Sequence, residues 1–230
     1  MKAVILAAGE GIRMLPLTEN KPKPLLEVLG KPLLQYSFEA LPDVVDEVIL
    51  LVGYLGDQIR DYCGNEFLGR KIRYVEQKEK RGTAHGLWIC REFLGNERFL
   101  TYYADDIQQK DDLKACLKYP LAISVSTVSD PRKFGVVSVD KNMRVLDLVE
   151  KPEIPPSNFV STGIKVLDER IFKYFSPHRE NGEHYITDPL RGLAHDCEMI
   201  AVPASHWIPI GYPEDLKKAE ILLGKRAGIR

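Results

Sequence analysis

Two glycines and two cations lie close together near the start of the chain, in Leu6-Ala7-Ala8-Gly9-Glu10-Gly11-Ile12-Arg13-Met14-Leu15-Pro16-Leu17-Thr18 followed by Lys21-Pro22-Lys23-Pro24-Leu25-Leu26. Glycines let backbone amides approach phosphate oxygens, and Arg13 and Lys23 add mobile positive charge, so a triphosphate fits this loop. A tight strand-to-helix turn with solvated cations explains the glycines equally well. The spacing is neither a Rossmann fingerprint, since Met14 stands where the third glycine belongs, nor a Walker loop, since Gly-Lys-Ser/Thr is absent. Further on, Phe99-Leu100-Thr101-Tyr102-Tyr103-Ala104-Asp105-Asp106 ends an apolar run on two carboxylates. Ligands in open α/β sheets gather at such strand ends, and carboxylates suit Mg²⁺, which keeps several waters and bridges phosphates. A turn before a helix, with Asp106 as its cap, is the alternative. Glu150-Lys151-Pro152 closes another short strand. Alone it is a commonplace charged turn.

The elements that must position these groups follow from hydrophobic patterning. Lys2 to Ala7 is apolar without alternation, as in a strand covered on both faces, and similar runs recur at Glu47 to Val52, Ile72 to Glu76 and Phe99 to Tyr103. Helical patterns at Pro32 to Leu41, Leu55 to Tyr62 and Ala84 to Leu94 separate them. That alternation predicts an α/β sheet wound through right-handed crossovers. After Tyr119, short β-rich runs at Leu121 to Val128, Gly135 to Val139 and Val145 to Val149 predict a mixed sheet with some antiparallel strands, and Pro213 to Leu223 reads as a final helix.

Composition narrows the partners. The 230 residues are 44% hydrophobic and predict one compact domain. Thirty-two basic against 33 acidic residues, a formal net charge of -1, provide no overall field for nucleic acid or an anionic membrane. The apolar stretch Ala3 to Ala8 is too short for a signal core and no run approaches a membrane span, so a cytoplasmic protein is expected. Cys63, Cys90, Cys116 and Cys197 lie far apart, without companion histidines at zinc spacing, and read as buried free thiols.

Leu-Ala-Ala-Gly-x-Gly-x-Arg-Met-x-Pro-Leu-Thr followed by Lys-Pro-Lys-Pro-Leu resembles the sugar-1-phosphate nucleotidylyltransferase family, and further motifs in family order extend the resemblance from Ala3 to about Leu216. It implies the nucleotide-diphospho-sugar transferase fold: an α/β, Rossmann-like, mixed but mostly parallel sheet flanked by helices. Within the single domain, the part up to about residue 118 would bind nucleotide and the rest sugar. Leu6, Ala8, Gly9 and Gly11 would surround the nucleotide, Arg13 would contact the triphosphate, and Lys23 would bind phosphate at the reacting centre.

Gln77, five residues before Gly82-Thr83-Ala84, matches the family's base-recognition segment. An amide both donates and accepts, so Gln77 can pair with N3–H and a carbonyl of uracil or thymine, which favours UTP or dTTP. Without the resemblance, Gln77 is an ordinary polar residue and Gly82-Thr83 the start of a helix. His85 is expected to cap or pack there.

By the same resemblance, Asp105 holds Mg²⁺, Glu150 binds sugar hydroxyls, Lys151 binds the sugar phosphate and Gly163 lets the sugar approach, although Ser161 stands where asparagine is usual. Gly182 to Asp188 resembles a helix start capped by Thr187 or Asp188. Trp207-Ile208-Pro209-Ile210-Gly211 carries Pro209 where the family places a second metal-binding aspartate, leaving Asp106, a water or the substrate phosphates to compensate.

The expected reaction joins UTP or dTTP to a sugar 1-phosphate, glucose 1-phosphate first and N-acetylglucosamine 1-phosphate second, releasing pyrophosphate with Mg²⁺ as cofactor. The chain would work as a monomer or homo-oligomer, without an appended acyltransferase domain after its final helix. Alternatives are a cytidylyltransferase acting on a non-sugar phosphate such as phosphocholine, and a catalytically silent nucleotide-sugar sensor.

Overall fold

The structure, a computed structural model, describes residues 1–175, 182 and 184–226. The first half runs β1 (Lys2–Leu6), a short hairpin of β2 (Glu27–Val28) and β3 (Lys31–Pro32), α1 (Leu33–Glu39), β4 (Glu47–Val52), α2 (Gly56–Cys63), β5 (Glu66–Phe67), β6 (Arg70–Glu76), α3 (Gly82–Ile89) and β7 (Phe99–Tyr103). It continues through α4 (Lys110–Leu117), β8 (Ala122–Thr127), β9 (Gly135–Val139), β10 (Val145–Glu150), β11 (Phe159–Leu167), α5 (Thr187–Asp196), β12 (Ile200–Pro203) and α6 (Pro213–Arg226).

A 10-stranded sheet forms the spine in the order β10-β9-β11-β7-β1-β4-β6-β5, with β8 joined to β11 and β12 to β8. β1 lies parallel between β4 and β7, and β6 lies parallel beyond β4. β11 turns the sheet antiparallel, pairing with β7 through Lys165–Leu167 and with β8 along its length. The mixed, largely parallel sheet flanked by helices is thus the architecture the apolar runs and the resemblance anticipate.

The central strands are apolar on both faces because each face has its own core. Ala3 and Ile5 of β1 join Leu50, Phe38 of α1, Ile59 of α2 and Leu113 of α4, whereas Val4 and Leu6 join Leu51, Leu87 of α3 and Leu190 and Leu193 of α5. Alternate residues point to opposite faces, so a strand covered twice cannot alternate with polar residues. A third, smaller cluster brings Met14, Leu26, Val28 and Leu33 against Ile107, Ile210 and Ala219, fastening α6 beneath the glycine loop.

Some boundaries differ from expectation. Helix α3 starts earlier, at Gly82, and after Ile89 the chain tightens into a separate turn at Arg91–Phe93. Pro32 precedes α1 in extended conformation, as its fixed φ and missing N–H allow. Ser161 to Ile164 lies within β11. Among the described residues, no helix is long and apolar enough to cross a membrane, and all four cysteines are free, three of them buried.

Candidate active site

The glycine loop leaves the carboxyl end of β1 and is held there by short backbone bonds. Ala7 N donates to Leu51 O (2.9 Å) and Ala104 N to Leu6 O (3.1 Å), so Leu6 and Ala8 lie where three strand ends converge. Gly11 adopts left-handed φ (+66°), and a Cβ there would stand 3.0 Å from Lys23 Cβ and from Thr18 Cγ2. Thr18 Oγ1 donates to Gly11 O (2.9 Å) and Met14 N to the same carbonyl (2.8 Å), folding the loop back on itself. Gly9 has open space on its Cβ side. Met14 is fully buried, while its neighbour Arg13 stays exposed with its guanidinium 5.4 Å from the Tyr212 ring centroid.

Lys23, only 6% exposed, donates through Nζ to Asp105 Oδ2 at 2.5 Å. The glycine loop and the end of β7 are thereby joined by an ion pair, with the Asp105 side chain still 33% exposed. Asp106 does not cap a helix: α4 begins at Lys110. Instead it accepts from Trp207 Nε1 (3.0 Å) and Ile210 N (3.3 Å), on either side of Pro209. The Ile107–Ile208 bridge holds the two segments together. Burial, then the charge of Asp105, pushes the Asp106 carboxyl up to about 7.

Gln77 lies just past the end of β6, with its backbone N donating to Val52 O (2.8 Å). It borders a cleft with Ala8, Glu10, Tyr54 and Lys80, and a Glu10–Lys80 ion pair spans from the glycine loop to the segment after Gln77. Gly82 has φ +83°, and a Cβ there would lie 2.5 Å from His184 O, so only glycine fits. Thr83 Oγ1 accepts from Ile186 N (3.0 Å), tying the start of α3 to the approach to α5.

Glu150 ends β10, where its Oε2 accepts from Thr187 Oγ1 (2.6 Å) and its Oε1 lies 3.4 Å from Lys151 Nζ. Lys151 takes left-handed φ (+43°) and holds its ammonium 4.6 Å from the Tyr185 ring centroid. Neither Thr187 nor Asp188 takes the cap position of α5, contrary to the sequence expectation: Ile186 occupies it without a side-chain cap bond, and the Thr187 hydroxyl is committed to Glu150. Glu183, in the same motif, lies outside the described residues. Gly163 sits in a β11 irregularity with φ +101°, and a Cβ would stand 2.8 Å from Tyr103 Cδ2. Its lack of a side chain is thus already required by the Tyr103 ring.

Sequence reasoning missed Lys165. It is 1% exposed, donates to Gly163 O (2.8 Å) and lies 4.7 Å from the Tyr103 ring centroid. Burial depresses its ammonium to about 8, partly offset by Glu150 and Asp106. A lysine between Ile164 and Val166 in an apolar run was the available signal.

The strand ends therefore gather Arg13, Lys23, Lys151 and Lys165 with Asp105, Asp106 and Glu150. Cations in such number suit phosphate oxygens, and flanking carboxylates suit sugar hydroxyls or a hard cation. No group of three or more metal-binding side chains stands ready among the described residues.

A match to the nucleotidyl transferase family covers residues 2–225. The bifunctional protein GlmU of Methanocaldococcus jannaschii is 37% identical over 95% of this chain, which spans about half (53%) of that relative's length. UTP–glucose-1-phosphate uridylyltransferase AglF of Haloferax volcanii is 33% identical, covering 96% of this chain and 95% of its own. The solved structure of a UDP-glucose pyrophosphorylase complexed with UDP-glucose superposes with TM-score 0.84 at 27% identity, covering 98% of each chain. A Bacillus anthracis protein assigned as a glucose-1-phosphate thymidylyltransferase superposes with TM-score 0.86 at 26% identity, covering 96% of this chain and 94% of that one. With a family match over almost its whole length, the chain belongs to the nucleotidyl transferase family.

Proposed function

We propose that the protein joins UTP or dTTP to a sugar 1-phosphate, releasing pyrophosphate, with glucose 1-phosphate the preferred acceptor and N-acetylglucosamine 1-phosphate the second. The observation that carries this reading is the Lys23–Asp105 pair, which sets a buried cation and a half-open carboxylate where the glycine loop meets β7. The near full-length similarity to AglF supports the choice of nucleotide and sugar.

An oxygen of the sugar phosphate attacks the α-phosphorus of the nucleotide while the bond to pyrophosphate breaks. That oxygen is ionised near neutral pH, so no general base is required; the work is alignment and charge screening. Arg13 contacts the triphosphate, Lys23 the phosphate at the reacting centre, Lys151 the sugar phosphate, and Glu150 the sugar hydroxyls. The Thr187 bond fixes the Glu150 carboxylate before substrate arrives.

The donors fit one Mg²⁺. Asp105 Oδ1 accepts no hydrogen bond among the described residues, whereas Asp106 is committed to Trp207 and Ile210 and Pro209 offers no side-chain oxygen. Asp105 would hold the ion with substrate phosphates and water, and the ion would screen charge between the two polyanions. A cytoplasmic location fits soluble substrates of this kind.

Pro209 favours a second reading, a nucleotide-sugar sensor that binds without turnover. Pyrophosphate release, measured with UTP, dTTP, CTP, GTP and ATP against sugar 1-phosphates and phosphocholine, decides between them. Release with UTP or dTTP and a sugar 1-phosphate, lost in Asp105→Ala, is expected. Nucleotide binding with no release from any pair would establish the sensor, and release only with CTP and phosphocholine a cytidylyltransferase.

A further inference from the structure

We infer that His85 is a positioning residue that holds the Gln77 amide in a single orientation, carbonyl oxygen free, and so makes the base site select a nucleobase carrying an N3–H donor. The inference rests on Gln77 reading the base.

Gln77 Nε2 donates to Gly82 O (3.0 Å) and lies 3.2 Å from His85 Nδ1. Gly82 O can only accept, so the amide nitrogen must face it, and the second amide hydrogen then meets Nδ1 as acceptor. His85 is thereby fixed as the neutral tautomer protonated on Nε2. Both amide hydrogens are used within the protein and Oε1 accepts no bond among the described residues, so Gln77 can take the base N3–H but cannot also donate to a base carbonyl, contrary to the sequence expectation.

The remaining surroundings complete the hold. A Cβ on Gly86 would lie 2.5 Å from Leu51 Cδ2 and 3.2 Å from Gln77 Oε1, so the bare helix face at Gly86 leaves room for both the leucine and that oxygen. The left-handed φ of Gly82 (+83°) belongs to the turn that turns its carbonyl toward Gln77, and His85 stands one helical turn further on.

A free carbonyl oxygen attracts the N3–H of uracil or thymine and repels the N3 lone pair of cytosine. A half-turn of the amide would reverse that preference, but it would set Oε1 against two acceptors, Gly82 O and His85 Nδ1. Selectivity therefore depends on His85 remaining an acceptor. Burial, Arg81 and His184 disfavour its charged form, while Glu79 favours it, and the balance holds its pKa below the ordinary histidine range. Protonation would make Nδ1 a donor and reward the turned amide.

The test is calorimetric binding of UTP and CTP to the whole protein, to His85→Ala, His85→Asn and Gln77→Ala, between about pH 7 and pH 5. His85→Ala is expected to reduce the UTP-over-CTP preference roughly tenfold, as for loss of one buried hydrogen bond. The natural protein is expected to lose preference on acidification. His85→Asn, which retains an acceptor and does not titrate, is expected to restore the preference and flatten the pH profile. Unchanged preference in His85→Ala, with preference lost in Gln77→Ala, would overturn the lock while leaving Gln77 as the base reader. Unchanged preference in Gln77→Ala would overturn the base reading and the lock with it.

Discussion

The glycine loop and the region around Glu150, Gly163 and Lys165 both deliver cations and close backbone approach, but they are built differently. The turn of the loop is closed by its own neighbours, with Thr18 bonded to Gly11 only seven residues away and Gly11 packed on Lys23, while distant contacts to Asp105 and α6 hold that turn in place. The second region is shaped by distant partners, with Thr187 bonding to Glu150 across 37 residues and the Tyr103 ring filling the space beside Gly163. A locally closed loop can lose a functional side chain with little cost to the fold. A site assembled from irregular strands puts stability and function in the same residues.

The largest expected effect is on activity in the loop. Lys23→Ala should lower kcat roughly 10²–10³-fold, the usual cost of removing a group that stabilises developing charge, and, since Asp105 keeps contact with solvent, should lower the unfolding free energy by only about 1–2 kcal/mol. Pyrophosphate release and denaturant unfolding on the same variant check both. A stability loss as large as the activity loss would remove the contrast.

The second effect belongs to the strand-built region and is one of stability. Lys165 titrates at about 8 when folded against an ordinary 10.5, so the folded state disfavours its proton. Its contribution is intact above the unfolded pKa and is lost as pH falls through about 8, which costs the fold about 3 kcal/mol at neutral pH. Lys165→Met should therefore unfold at higher denaturant than the natural protein at pH 7, with the gap closing toward pH 10. A gap independent of pH would show that the ammonium is not the source.

Two glycine substitutions sharpen the comparison further. Gly163→Ala must place a Cβ against Tyr103 at positive φ and should cost about 2 kcal/mol in unfolding experiments. Gly9→Ala, with nothing within 4 Å, should stay within about 0.5 kcal/mol. Equal costs at the two positions would break the distinction.

The same contrast explains what the sequence revealed. Gly9 to Lys23 and Gln77 to Thr83 are contiguous, so their spacing is visible in one pass, and the apolar runs of β1, β4 and β7 announce a sheet covered on both faces. The contact of Tyr103 with Gly163 needs β11 beside β7, the bond of Thr187 to Glu150 needs α5 against β10, and no short window contains either. Helix α4 had a local sign, Asp111 and Asp112 in its first turn, as did the long strand β11 in Val160 and Ile164 to Leu167. The commitment of Asp106 to Trp207 had none, because those residues are 101 positions apart.

The floor of the glycine loop is closed by Ala219 and Leu216 of α6, which pack with Met14, Leu26 and Val28. The loop leaves the ribosome well before α6, so its underside stays wet until α6 has also emerged. During synthesis the nascent chain can assemble its parallel strands while the loop that follows β1 still waits for α6. Completion of that loop thus reports the arrival of nearly the entire described chain.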